Sequence, residues 1–130
     1  MGDAEESLYV VFIEDDPEIA DMYRLKLEVD GYRVAVAPDG EAGLELVRKT
    51  CPDLIFLDIR LPRMDGFAVL EQLHRDPRTK DIPVVILSAY SEEELVERGL
   101  RLGALDYLFK SGTTPASLAD SVPAFGKSRV

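Results

Sequence analysis

The chain has 130 residues, 46% hydrophobic and 31% charged, a composition typical of one globular domain with its own core and unlike that of a disordered chain. Its 25 Asp and Glu residues exceed its 15 Lys and Arg residues, and the net charge of -10 disfavours direct binding to nucleic acid or to an anionic membrane. The single cysteine, Cys51, excludes an intramolecular disulfide and suits a reducing compartment.

The amino-terminal segment 1–7 is acidic and is predicted to be flexible. It lacks the positive charge and the apolar run of a signal peptide. Elsewhere no apolar run approaches the roughly 20 residues that a membrane-spanning helix needs. We therefore predict a cytoplasmic protein without a membrane partner.

Short apolar strands alternate with segments of helical periodicity, and turn residues separate them. Pro123 predicts the end of the last helix at 122, because proline lacks a backbone donor and clashes inside a helix. The folded domain is thus expected over 8–122, with a tail over 123–130. The strands are predicted at 8–13, 33–37, 54–57, 83–87 and 105–109, and the helices at 18–30, 40–50, 66–75, 92–102 and 115–122.

Five strands, each followed by a helix, predict an α/β fold: a doubly wound parallel sheet with helices on both faces. Ligands of such sheets bind at the carboxyl ends of the strands, near the switch in strand order. The second strand ends in Ala37 and Pro38, which carry no obvious chemistry, so we place it at an edge. The predicted order is the flavodoxin-like 2-1-3-4-5.

The other four strands end in residues that can carry chemistry. Their ends are marked by Glu14-Asp15, Asp58, Ser88 and Lys110. Three close carboxylates repel one another unless a cation lies among them. The pattern therefore predicts a site for a hard divalent metal, with Asp58 as a candidate nucleophile.

From about Tyr9 to Val122 the chain resembles the receiver domain of two-component response regulators. The resemblance implies a phosphorylation-controlled signalling switch of a phosphorelay, and not an enzyme with a substrate of its own. It also implies a histidine kinase or histidine phosphotransfer protein as phosphoryl donor, and an output protein or domain that the sequence does not identify. It rests on these residues in chain order: Glu14-Asp15, Asp58, Pro62, Asp65-Gly66, Ser88-Ala89 and Lys110.

The same resemblance assigns roles to the site residues. Asp58 would accept the phosphoryl group, and Ser88 and Lys110 would contact its oxygens. Asp15 and Asp58 would bind Mg²⁺ (or Mn²⁺) directly and Glu14 would bind it through water, a set that suits a metal that keeps several waters. The backbone carbonyl of Arg60 would be a further ligand.

The resemblance also predicts how the signal is transmitted and lost. Phosphorylation would draw Ser88 inward and Tyr107 would follow, reshaping the surface of the fourth helix, fifth strand and fifth helix for a protein partner. Without the resemblance, the sequence context of Tyr107 favours a plain core residue. Arg60 and Tyr90 would flank the path of the hydrolytic water, and their bulk predicts slow autodephosphorylation.

Two departures from the family pattern bear on structure. Ser111 stands where Pro often follows the lysine, and a cis peptide bond before Ser costs about 2.5–4 kcal/mol, so the family's cis bond is not expected here unless the site enforces it. The predicted short fifth helix puts the usual dimer contacts in doubt.

Other functions and sites fit the sequence less well. A phosphatase of the haloacid dehalogenase type would need an acid at Arg60, a binding module with a lapsed site would lack some of the acids, and no P-loop occurs. Asp16 and Asp65 are expected as helix caps or turn residues, and His74 as a surface residue.

Overall fold

The computed structural model of the chain describes residues 8–126, so segment 1–7 and residues 127–130 of the predicted tail lie outside the described residues. In that part of the chain, five β-strands alternate with five α-helices, and every predicted element is present. In chain order they are β1 (Tyr9–Ile13), α1 (Pro17–Val29), β2 (Arg33–Ala37), α2 (Gly40–Thr50), β3 (Leu54–Leu57), α3 (Gly66–Arg75), β4 (Val84–Ser88), α4 (Glu93–Arg101), β5 (Asp106–Phe109) and α5 (Pro115–Gly126).

The strands form one parallel sheet in the order β2-β1-β3-β4-β5, which confirms the predicted topology. Ile13 is paired with Ala37 on one side and with Leu57 on the other, and Leu57 is paired with Ile86. Parallel strands run in one direction, so their carboxyl ends share one edge of the sheet. This register places the ends of β1 and β3 next to each other.

Helices cover both faces of the sheet. Helices α1 and α5 pack on one face, and α2, α3 and α4 pack on the other. In β1, Val10 and Phe12 belong to the core cluster under α1 and α5. Val11 and Ile13 belong to the opposite cluster. Because successive strand residues point to opposite faces, a strand covered on both sides must be apolar throughout, as this one is.

The predicted end of α5 at residue 122 is wrong, because the helix continues through Pro123 to Gly126. Val122 is fully buried, and Phe125 packs on the same core cluster, with its ring 6.4 Å from the ring of Phe56. Full burial of an aromatic side chain gains about 1.5–3 kcal/mol, so the partial burial of Phe125 offsets part of the roughly 3 kcal/mol cost of an interior proline. Residues 123–126 therefore belong to the packed domain and not to a tail.

The link from β5 to α5 is a short 3₁₀ turn over Lys110–Gly112. No cis peptide bond occurs among the described residues, so the bond between Lys110 and Ser111 is trans, as expected. None of the helices in this part of the chain is long and apolar enough to cross a membrane.

Candidate functional site

The pairing of β1 with β3 brings two predicted site residues to the same edge of the sheet. Glu14 directly follows Ile13, and Asp58 directly follows Leu57, its paired residue in β3. The Asp58 N–H donates to the Ile13 carbonyl at 3.0 Å, which continues the pairing beyond the strand ends. Both acids are therefore held by the backbone of the central strands.

Lys110 joins these two acids from the end of β5, which is separated from β3 by β4. It follows Phe109, which is paired with Ser88 at the end of β4. Its Nζ lies 2.8 Å from Glu14 Oε1 and 3.0 Å from Asp58 Oδ2. The ammonium thus bridges two carboxylates that are only 5% and 6% exposed as residues, and it neutralises one of their charges.

The third acid, Asp15, is exposed and completes an acidic cluster. One ligand oxygen each from Glu14, Asp15 and Asp58 lie within 4.8 Å of one another. Three carboxylates against one ammonium leave two negative charges in a small volume. Oxygen ligands of this kind suit Mg²⁺ or Mn²⁺, so the donor set fits the metal that the sequence predicted.

The ionisation of the site follows from burial and from these contacts. Burial raises the pKa of the Glu14 carboxyl; the hydrogen bond from Lys110 opposes that rise, and the Asp58 carboxylate adds to it. Burial alone would lower the pKa of Lys110, but its hydrogen bonds to Glu14 and Asp58 outweigh burial and raise the pKa. The ammonium therefore favours the charged form of the Glu14 carboxylate, against the effect of burial.

Ser88 and Tyr107 meet through the backbone of the loop that follows β4. Ser88 is fully buried, and its Oγ accepts a hydrogen bond from the Tyr90 N–H at 3.0 Å. The Tyr107 hydroxyl donates to the Tyr90 carbonyl at 2.7 Å, and Tyr107 is only 6% exposed. Burial raises the pKa of the Tyr107 phenol, so it remains a hydrogen-bond donor at neutral pH. The ring is thus both a core residue and a contact of the loop.

The two residues expected to tune dephosphorylation contact each other. The guanidinium of Arg60 lies 4.6 Å from the centre of the Tyr90 ring. The Arg60 backbone N–H donates to Asp58 Oδ1 at 3.3 Å, so the backbone of this arginine contacts the Asp58 carboxylate directly. The neighbouring strands β3 and β4 place these two residues side by side, two positions beyond Asp58 and Ser88. The contact itself was not predicted, because it depends on the rotamer of the arginine.

The remaining sequence assignments are structural. Asp16 and Asp65 cap the amino ends of α1 and α3, and their carboxylates accept backbone N–H groups of the first helical turn. His74, in the last turn of α3, is exposed and outside the acidic cluster. Cys51 is exposed at the end of α2. None of these residues adds a group to the site.

Comparison with known proteins agrees with this geometry. The family model described as the response regulator receiver domain matches residues 10–122. A 101-residue segment is 46% identical to the DNA-binding dual master transcriptional regulator RpaA of Synechocystis, and covers 78% of this chain and 42% of that protein. The matched segment therefore spans less than half the length of that relative.

Solved structures agree as well. The receiver domain of the Francisella response regulator 1452 has a TM-score of 0.85 at 32% identity, over 93% of this chain and 98% of that one. The BeF3-activated receiver domain of Klebsiella pneumoniae RstA has a TM-score of 0.84 at 31% identity, over 92% of this chain and 98% of that one.

An α/β sheet with an acidic cluster and a lysine at its carboxyl edge defines the class of phosphorylation-controlled switch domains. The chain belongs to the response regulator receiver domain family of two-component systems.

Proposed function

We propose that the domain accepts a phosphoryl group on Asp58 in a reaction that requires Mg²⁺. The observation that carries the proposal is the placement of Lys110 Nζ 3.0 Å from Asp58 Oδ2, beside a cluster of three carboxylates. Phosphoryl transfer to a carboxylate depends mainly on positioning and on neutralising charge. The edge of the sheet offers both.

Each group at the site has a distinct part in the transfer. An Asp58 oxygen forms a bond to phosphorus while the phosphorus–nitrogen bond of a phosphohistidine donor breaks, and its electron pair stays on the histidine nitrogen. Lys110 neutralises a phosphoryl oxygen, and the Ser88 hydroxyl donates to another. A bound Mg²⁺ would supply further neutralisation of the phosphoryl oxygens, held by Asp15, Asp58 and the Arg60 carbonyl, with Glu14 acting through water.

The response follows from the loop after β4. If the Ser88 hydroxyl turns toward the phosphoryl group, its hydrogen bond with the Tyr90 N–H weakens. The backbone of Tyr90 then shifts, and with it the carbonyl that accepts the hydrogen bond of the Tyr107 hydroxyl. The surface formed by α4, β5 and α5 would then change. Leu100 and Phe109 are exposed apolar residues of α4 and β5, at 45% and 39%, and they would contact an output protein or domain.

The proposed partners are a histidine kinase or histidine phosphotransfer protein as donor, and an output protein or domain as receiver of the signal. We propose no direct contact of this domain with nucleic acid, because its net charge is -10, and a cytoplasmic location. A phosphatase of the haloacid dehalogenase type would require an acid at the position of Arg60, which has none.

Incubation with acetyl phosphate and Mg²⁺, followed by intact mass measurement, tests this function. We expect one added phosphoryl group in the wild type, no addition when the metal is chelated beforehand, and no addition in Asp58→Asn. Asp39→Asn is a matched control, because Asp39 lies outside the cluster and asparagine also caps a helix well. Equal labelling of Asp58→Asn and the wild type would exclude Asp58 as the acceptor.

A further inference from the structure

Tyr90 contacts three residues of the proposed switch at once. Its N–H donates to Ser88 Oγ, its carbonyl accepts from the Tyr107 hydroxyl, and its ring lies under the guanidinium of Arg60. Arg60 in turn is bonded through its N–H to Asp58 Oδ1. A continuous set of contacts therefore runs from the acceptor loop to the ring of Tyr107.

The guanidinium of Arg60 forms no ion pair with the acids in residues 8–126, although the chain is acidic. Arg24, Arg48 and Arg78 each form such a pair, whereas Arg98, like Arg60, lies over an aromatic ring. Its contact is the face of the Tyr90 ring, and Tyr90 is itself 38% exposed. The arginine therefore contributes to placing this ring at the surface.

We propose that Arg60 is a positioning residue for Tyr107: its side chain holds the Tyr90 loop in the conformation whose carbonyl keeps the tyrosine ring inward. The meaning of this contact for signalling rests on the proposed function. The contact sets the balance between inward and outward rings before any phosphoryl group arrives. A response regulator with another residue at this position would start from a different balance.

The size of the effect follows from the kind of contact. Cation–π pairs at exposed sites change an equilibrium by about two- to fivefold. The hydrogen bond from Tyr107 to the Tyr90 carbonyl transmits the change, because the carbonyl and the ring belong to one residue. Removing either the guanidinium or the ring should thus lower the ratio of inward to outward Tyr107 by about two- to fivefold.

NMR relaxation dispersion on ¹³C-labelled tyrosine measures this ratio in the unphosphorylated protein, without phosphodonor or Mg²⁺. Tyr107→Phe assigns the signal. We compare Arg60→Gln and Tyr90→Leu, which remove one partner each, with the double variant and with Arg60→Lys, which keeps a cation. Arg33→Gln is the matched control, since its guanidinium lies 5.3 Å from the ring centre of Tyr9 in β1, away from the switch.

The proposal predicts that the ratio of inward to outward Tyr107 falls by about two- to fivefold in each single variant, the size expected of a cation–π contact. It also predicts no further loss in the double variant and a partial recovery in Arg60→Lys. A ratio in Arg60→Gln equal to that of the wild type would overturn the proposal. So would additive losses, an equal loss in Arg33→Gln, or a ring that stays inward in every variant. The experiment uses no phosphoryl transfer, so its outcome is independent of whether Asp58 accepts phosphate.

Discussion

Replacing Lys110 with Met tests whether the lysine stabilises the acidic cluster. The ammonium lies 2.8 Å from Glu14 Oε1 and 3.0 Å from Asp58 Oδ2, and only 16% of its side chain is exposed. At an effective dielectric constant of about 20, each contact is worth about 5–6 kcal/mol before the cost of burying the ammonium. Removing one partner of a buried ion pair destabilises proteins by about 3–5 kcal/mol.

The assay is urea unfolding at pH 7, followed by circular dichroism, with EDTA or with Mg²⁺. In EDTA we expect Lys110→Met to lose about 3 kcal/mol of unfolding free energy, since the carboxylates then repel each other without a counterion. Mg²⁺ should stabilise the variant more than the wild type, because the metal replaces the missing charge. Lys49→Met is the control: Lys49 is exposed on α2 and outside the cluster.

The pH dependence has a definite sign. The pKa of Lys110 is raised in the folded protein, so its contribution to stability is complete below the unfolded pKa of 10.5 and is lost as pH rises through the folded value. The wild type should therefore lose stability at high pH, and Lys110→Met should not show that loss. A variant that loses under 1 kcal/mol in EDTA, or gains no more from Mg²⁺ than the wild type, would refute the reasoning, given the roughly 3 kcal/mol expected.

Three further predictions concern the metal, the switch and the lifetime of the phosphate. Asp15→Asn should weaken Mg²⁺ binding about tenfold or more, measured by titration calorimetry, because it removes an anionic ligand; unchanged affinity would place the metal elsewhere. Ser88→Ala should still accept phosphate but show smaller phosphorylation-induced NMR shifts at Tyr107, and identical shifts would exclude that coupling. Arg60→Asn combined with Tyr90→Glu should speed loss of phosphate, followed by intact mass, because it opens and polarises the water path; an unchanged or longer lifetime would contradict it.

The edge of the sheet could be predicted because few alternatives satisfy its constraints. Apolar strands joined by helices indicate a parallel sheet. The polar residues that follow those strands must then lie along the same edge of the sheet. Glu14 and Asp58 illustrate this, since each directly follows a residue of one backbone pair. Their proximity depends on topology and register, which hydrophobic patterns encode well.

The end of α5 could not be predicted in the same way, because a local rule competed with a tertiary contact. Pro123 indicates a helix end in any sequence reading. Phe125 gains enough by packing toward Phe56 to continue the helix. Whether it does so depends on the space left between α1 and β3, which only the folded core decides.

The contact of Arg60 with Tyr90 lies beyond sequence reasoning for a different reason. Register places the two residues side by side, yet an exposed arginine in an acidic chain has many carboxylates within reach, and its rotamer decides among them. Here the guanidinium lies over the Tyr90 ring and forms no ion pair with any of the described acids. The residues of the sheet edge can therefore be placed by topology and register, whereas the contact of a side chain one step outside that edge depends on a rotamer that these do not determine.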